Sequence, residues 1–230
     1  MLTVKEIAKM IDHSLLKPEM TPSEVKAGCE LAKQYDCASV CVKPSDVLLA
    51  KSILNGSDVL TSTVIGFPHG SNTTAVKVFE ANDAMDNGCM ELDMVLNIGR
   101  LKDGDVDYVA KDIKAVVDAA HARGVIVKVI LENCFLSDDQ KKTACQICEK
   151  AGADFVKTST GYGTGGATIE DLILMRATVS AKVRVKAAGG IRTLDQALAV
   201  RAAGAARFGA TAIRVIIEDA KEREVKGTLV

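Results

Sequence analysis

The sequence predicts one (β/α)8-barrel domain spanning residues 1–230, and three observations carry that prediction. Short runs rich in β-branched residues recur eight times along the chain, helix-period segments separate them, and the later runs put charged side chains on one face. A chain of 230 residues is close to the roughly 250 typical of such barrels.

The first run, Asp12 to Leu15, is short and mixed. The segment after it opens at Thr21-Pro22-Ser23-Glu24, where Thr21 and Glu24 form a capping box with Pro at the first helical position. Ser39 to Val42 and Val59 to Ile65 are the second and third strands, and Met90 to Val95 is the fourth. Val125 to Leu131 is the fifth, followed by a helix capped by Ser137 and Gln140. Asp154 to Thr158 and Val183 to Ala187 are the sixth and seventh, the latter leading to a helix capped by Thr193 and Gln196. Ala206 to Gly209 is the eighth. Gly88, Gly124, Gly152 and Gly204 stand at helix exits, where a left-handed residue turns the chain into the next strand. No linker or low-complexity segment breaks the rhythm. An open doubly wound sheet has the same alternation and is the competing architecture.

Composition removes several function classes. Hydrophobic residues make up 48% and charged residues 26%, as in an ordinary globular protein. Twenty-nine basic against thirty acidic side chains leave a net charge of −1, without the basic footprint of a nucleic-acid binder. Aromatics are 3% with no Trp, so stacking platforms for single strands are also missing. Seven scattered cysteines do not make a disulfide framework and suit a reducing cytoplasm. Cys145 and Cys148 have C-x-x-C spacing but sit in a helix-like stretch without a second pair, so they read as helix residues and not as a zinc or redox site. His13, His69 and His121 show no metal spacing and read as loop or helix residues. The amino-terminal segment has no apolar signal core, and no run approaches the ~18 residues of a membrane span.

Strand parity then sorts the candidate site residues, because alternate side chains point to opposite faces. Glu91 and Asp93 oppose Leu92 and Met94; Lys128, Ile130 and Glu132 oppose Val127, Val129 and Leu131. Phe155 and Lys157 flank Val156, and Arg184 and Lys186 oppose Val183 and Val185. The apolar sets face the helices, which turns the charged sets inward. Charges deeper in the strands, Arg184 with Glu91 and Lys128, fit a structural ion-pair network. Lys157, Lys186 and Asp93 lie near the carboxyl ends of their strands, where barrel enzymes place their chemistry. Two lysines at matching heights on neighbouring strands lie about 4.8 Å apart, so one depresses the pKa of the other and leaves it a free amine able to form an imine. Which of Lys157 and Lys186 that is stays open at this point.

Two glycine loops suit a phosphate: Gly189-Gly190-Ile191-Arg192 after the seventh strand and Gly209-Ala210-Thr211 after the eighth, each leading into a helix start. The run Gly161 to Gly166 contains G-x-G-x-x-G but follows a sixth strand and lacks a downstream acid for a ribose hydroxyl, so it reads as a mobile loop over the site.

These residues resemble the deoxyribose-phosphate aldolases. The resemblance lies in IDHSLLKP from Ile11, SVCVKPSDV from Ser39, ELDMVLNIG from Glu91, DFVKTSTGYGTGGAT from Asp154, VKAAGGIRT from Val185 and RFGAT from Arg207. It implies reversible cleavage of 2-deoxy-D-ribose 5-phosphate to D-glyceraldehyde 3-phosphate and acetaldehyde, in deoxyribonucleotide catabolism, with no metal or cofactor. By resemblance Lys157 matches the imine-forming lysine, Lys186 the lysine that perturbs it and donates protons, and Asp93 the acid/base residue acting with a water. Asp12, Cys41 and Thr160 match residues lining the substrate site, Cys41 without a catalytic part. Gly161, Gly189, Gly190, Arg192, Gly209 and Thr211 match the phosphate-side loops. Tyr162 replaces a lysine, Ala212 a hydroxyl residue and Asn133 a threonine found in some members. The expected cleavage breaks the bond between C3 and C4 of the open-chain sugar. Partners are then a small sugar phosphate and acetaldehyde, neither nucleic acid nor membrane, with a homo-oligomer of two or more subunits expected. A barrel isomerase or lyase without a covalent step, and a non-catalytic sugar-phosphate binder, are the competing functions.

Overall fold

The strands close into a barrel because each pairs in parallel with its sequence neighbour and the last returns to the first. The computed structural model describes residues 2–229. Its strands are β1 (Ile11–Leu15), β2 (Ser39–Val42), β3 (Leu60–Ile65), β4 (Glu91–Val95), β5 (Ile126–Ile130), β6 (Phe155–Lys157), β7 (Arg184–Ala187) and β8 (Ala205–Ala210). Pairing of Asp12 with Gly209 and His13 with Ala210 seals β1 to β8, which excludes the open doubly wound sheet. All eight expected strands are present. Most are a residue or more shorter than their apolar runs, because residues such as Val59, Met90, Val125 and Val183 lead into the sheet before its ladder begins.

Helix α1 (Val4–Ala8) precedes the barrel. Helices α2 (Pro22–Gln34), α3 (Val47–Leu54), α4 (Thr74–Asp86), α5 (Ile98–Lys102), α6 (Val106–His121), α7 (Asp138–Ala151), α8 (Ile169–Thr178), α9 (Leu194–Ala202) and α10 (Ile213–Val225) follow in turn. Capping boxes form at Thr21/Glu24, Ser137/Gln140 and Thr193/Gln196 as expected, and a fourth forms at Thr3/Glu6. Each satisfies amides that a helix start leaves unpaired. Gly88, Gly124, Gly152 and Gly204 all have positive φ, the conformation that ends one helix and redirects the chain.

The main core lies between barrel and helices. Leu92, Met94, Val127, Val129, Val156 and Val185 are buried there, so the alternate residues of β4 to β7 turn toward the barrel axis. A buried ion pair ties α4 to α6: Lys77 donates to Asp112 at 2.5 Å and to the Val95 carbonyl at 3.0 Å, pinning the end of β4. Cys145 and Cys148 are buried free thiols on α7. Burial raises the first to about 12 and the second well above its ordinary value, so neither offers a thiolate at neutral pH. His13 lies on β1, not in a loop or helix; it is buried with Nδ1 at 3.2 Å from the Ala210 carbonyl. Among the described residues no helix is long and apolar enough to cross a membrane.

Candidate active site

Barrel register sets the height of each functional side chain. Lys157 pairs directly with Lys186, Asp93 with Lys128, and Lys186 with Arg207. Because all of these turn inward, they meet. Lys157 Nζ and Lys186 Nζ each donate to the same oxygen of Asp93, Oδ2, at 2.7 Å. Lys128 donates to the other oxygen, Oδ1, at 2.8 Å and to Glu91 at 2.6 Å. Asp12 binds Lys186, accepts from Ser39 at 2.8 Å and from Arg207 Nε at 2.7 Å, and lies 3.5 Å from Lys128. Arg207 also spans to Glu91 at 3.0 Å.

The network therefore includes Glu91 and Lys128 as expected, but not Arg184. That arginine is the first residue of β7 and so reaches the amino-terminal mouth, where it is exposed and stacks on Phe155 with its guanidinium 4.0 Å from the ring centroid. Arg207 of β8 takes the internal position instead. It was legible in principle, since it shares parity with Gly209.

Charge counting distinguishes the two lysines that parity alone left equivalent. Lys128, Lys157, Lys186 and Arg207 supply four cations, and Asp12, Glu91 and Asp93 three anions. One proton is in excess in a region where an uncompensated charge costs several kcal/mol. Lys128 faces all three carboxylates and Lys186 faces two, Asp12 and Asp93. Lys157 faces Asp93 alone. The excess proton thus leaves Lys157 most readily. Burial holds the Lys157 amine below its ordinary range, opposed by Asp93 and reinforced by the Lys186 cation. Burial acts the same way on Lys186, but Asp12 and Asp93 outweigh it and hold its ammonium above that range. Burial would raise Asp93 and Asp12, yet the surrounding cations overcome it: both stay ionised, well below the usual carboxylate range.

Above this cluster opens a cavity of about 460 Å³. Asp12, Cys41, Lys157, Thr160, Gly161, Lys186, Gly189, Gly190, Arg192, Gly209 and Thr211 all line it, and Asp93 lies buried beneath, bonded to both lysines, so the structure brings every expected site residue together. Burial and the Asp93 charge push the Cys41 thiol up, which keeps it protonated. Gly189 and Gly190 have φ of +85° and +91°, conformations that expose backbone to the cavity without a side chain. The two helix starts differ from expectation. The Gln196 side chain already accepts from the amides of Arg192 and Thr193 at α9. At α10 the cap residue is Ala212, which offers no side-chain acceptor, so its first amides are the better anion donors.

The loop Gly161 to Gly166 forms one wall. Tyr162 donates its hydroxyl to the Leu16 carbonyl at 2.7 Å and packs edge-on against Phe67. Gly166 lies so close to Gly189 that a Cβ would come within 2.6 Å of its carbonyl oxygen. Two buried residues after β5 stand outside the expected site set. Asn133, the departure from a threonine, donates to Asp171 at 3.1 Å and so bridges the end of β5 to α8. Glu132 accepts from Thr160 and has a left-handed backbone with φ +56°. Among the described residues no cluster of three His, Cys, Asp or Glu side chains is placed to hold a metal ion.

A closed barrel that sets one lysine biased toward its free amine beside one held charged, under a glycine-walled cavity, has the layout of a lysine-dependent aldolase. The model for "DeoC/LacD family aldolase" matches residues 6–218. The chain belongs to that family and is an enzyme of the lyase class. The deoxyribose-phosphate aldolase of Clostridium perfringens (strain SM101 / Type A) is 54% identical over 214 residues, 93% of this chain and 95% of its own length. That of Thermococcus gammatolerans is 53% identical over 221 residues, 95% of this chain and 98% of its own. Among solved structures, the deoxyribose phosphate aldolase of Aeropyrum pernix, described as having a unique tetrameric structure, superposes with a TM-score of 0.89 at 29% identity, covering 95% of this chain and 92% of that one.

Proposed function

We propose that this enzyme reversibly cleaves 2-deoxy-D-ribose 5-phosphate to D-glyceraldehyde 3-phosphate and acetaldehyde through an imine on Lys157. The observation that carries the reading is the uneven carboxylate pairing of the two lysines: both share Asp93, but only Lys186 has Asp12 as a second partner. Relatives above 50% identity bear the corresponding name, which supports the choice of sugar.

In this reading the free amine of Lys157 attacks C1 of the open-chain aldehyde. Loss of water from the carbinolamine gives the iminium, an electron sink. Acetaldehyde carries two carbons, so the bond that breaks is C2–C3; the C3–C4 scission drawn from sequence is corrected by this count. As the C3 hydroxyl gives up its proton to the water held by Asp93, the C2–C3 pair flows into the imine to form an enamine, and glyceraldehyde 3-phosphate leaves. Protonation at C2 and hydrolysis release acetaldehyde and the amine. Lys186, held cationic, supplies protons, while Asp93, held ionised, orients the amines and the water that relays them. The phosphate lies against Gly189, Gly190, Gly209, Thr211 and the α10 start, with Arg192 beside it.

The test is a coupled assay on 2-deoxyribose 5-phosphate that measures both products. Equimolar glyceraldehyde 3-phosphate and acetaldehyde are expected, with turnover lost in Lys157→Ala. Binding without turnover would instead favour a sugar-phosphate binder. The reading extends to one domain over residues 1–230, to the cytoplasm, supported by seven free cysteines, and to a homo-oligomer, supported by the tetrameric relative. Light scattering on the purified protein checks the last.

A further inference from the structure

We propose that Glu132 is a positioning residue that anchors the substrate-covering loop after β6, an inference that rests on the reading just given. Two features single it out. The residue is 2% exposed, and its carboxylate has no basic partner among the described residues, unlike the other acids inside the barrel. Its backbone is left-handed at φ +56° and ψ +64°, a conformation that a side-chain-bearing residue adopts at a cost and keeps only where surroundings enforce it. The enforcement is visible, because the flanking amides of Leu131 and Asn133 donate to the Lys157 and Thr158 carbonyls at 2.9 Å on either side of it.

The turn aims the carboxylate at the loop. Both its oxygens accept the Thr160 amide, at 3.2 and 3.3 Å, and Oε2 also accepts the Thr160 hydroxyl. Thr160 Oγ1 in turn accepts the Tyr162 amide at 3.0 Å, and the Tyr162 hydroxyl reaches the Leu16 carbonyl beyond β1. A continuous chain of hydrogen bonds thus runs from the end of β5, through the loop that follows the imine lysine by three residues, to the opposite rim. The loop rests directly on the anchor: a Cβ on Gly163 would stand 3.0 Å from Glu132 Cδ. Lifting the loop would strip Glu132 of its partners, so a filled cavity and an anchored loop favour each other. The Lys157 side chain makes no hydrogen bond or ion pair with Glu132; its polar partner is Asp93. The anchor should therefore govern capture of the phosphorylated substrate and not the imine chemistry.

Steady-state kinetics on 2-deoxyribose 5-phosphate, set beside reductive trapping of Lys157 with acetaldehyde and cyanoborohydride, separates the two. Glu132→Ala should raise KM on the order of tenfold, the loss expected for a charge-assisted pair of hydrogen bonds, with the trapping rate within about twofold of wild type. Glu132→Gln, which keeps one acceptor oxygen, should recover most of that loss. Thr160→Ala removes the link from the loop side, and in combination with Glu132→Ala it should add little, as coupled residues do. Glu132→Gln and Thr160→Ala carry the test if Glu132→Ala does not fold. An unchanged KM in these variants, a trapping rate that falls as far as KM rises, or additive losses would each overturn the anchor. Failure of wild-type enzyme to trap acetaldehyde would instead overturn the imine reading itself.

Discussion

Lys186→Met is the perturbation that bears most directly on the division of labour between the lysines. Each amine lies 2.7 Å from the same Asp93 oxygen, so the two nitrogens are no more than about 5.4 Å apart. At an effective dielectric constant of ~20, two unit charges at that distance repel by about 3 kcal/mol, or roughly 2 pKa units. Charge counting agrees in sign: without Lys186, three cations face three carboxylates, and the cluster is neutral with Lys157 protonated. The Lys157 pKa should therefore rise. Because the amine is reactive only when free, the acid limb of its pH profile should move up by about 2 units, and trapping at neutral pH should slow by about 100-fold. The assay is the rate of reductive acetaldehyde trapping from pH 5 to 10 in both proteins. An acid limb that does not move would refute the electrostatic argument, and a variant that traps nothing at any pH would show that the Lys186 proton is required for imine formation itself.

Asp93→Asn leaves Lys128, Lys157 and Lys186 facing an amide, so it should lose about 3–5 kcal/mol of stability, measured by urea unfolding, along with turnover. The folded-state pKa values of Asp12 and Asp93 are depressed, so their stabilisation is present above the unfolded carboxylate value of ~3.9 and is lost as pH falls below it toward the folded values. Unfolding free energy should therefore drop between about pH 5 and 2, and less steeply in Asp12→Asn; equal slopes would contradict the assignment. Gly166→Ala puts a Cβ 2.6 Å from the Gly189 carbonyl oxygen, so it should displace the Gly189-Gly190 loop and raise KM by more than about tenfold in the coupled assay, with acetaldehyde trapping retained.

Much of this was legible because barrels are periodic. Alternation in β4 to β7 put Asp93, Lys128, Lys157 and Lys186 on the inner face, and the register then made them neighbours. What parity does not give is height and strand ends. Arg184 has the right face but stands at the first position of β7, where the amino-terminal mouth offers water, whereas Arg207 sits deep enough to reach Asp12 and Glu91. Nor does it reveal where a strand stops being a strand: Glu132 continues the inward series on paper, but its left-handed turn re-aims it at Thr160. Parity also left Lys157 and Lys186 equivalent, and only the family resemblance chose between them. The difference lies in Asp12, some 170 residues away in the chain and brought beside Lys186 only when β8 closes onto β1.

The central claim is that Lys157 is the free amine that forms the imine. Incubation with acetaldehyde and borohydride, followed by peptide mass analysis, tests it most directly. The account predicts one ethyl group on the peptide bearing Lys157, absent from Lys157→Ala and undiminished when unrelated surface lysines are replaced. An ethyl group on Lys186 instead, or no addition under conditions where the enzyme cleaves its substrate, would contradict it.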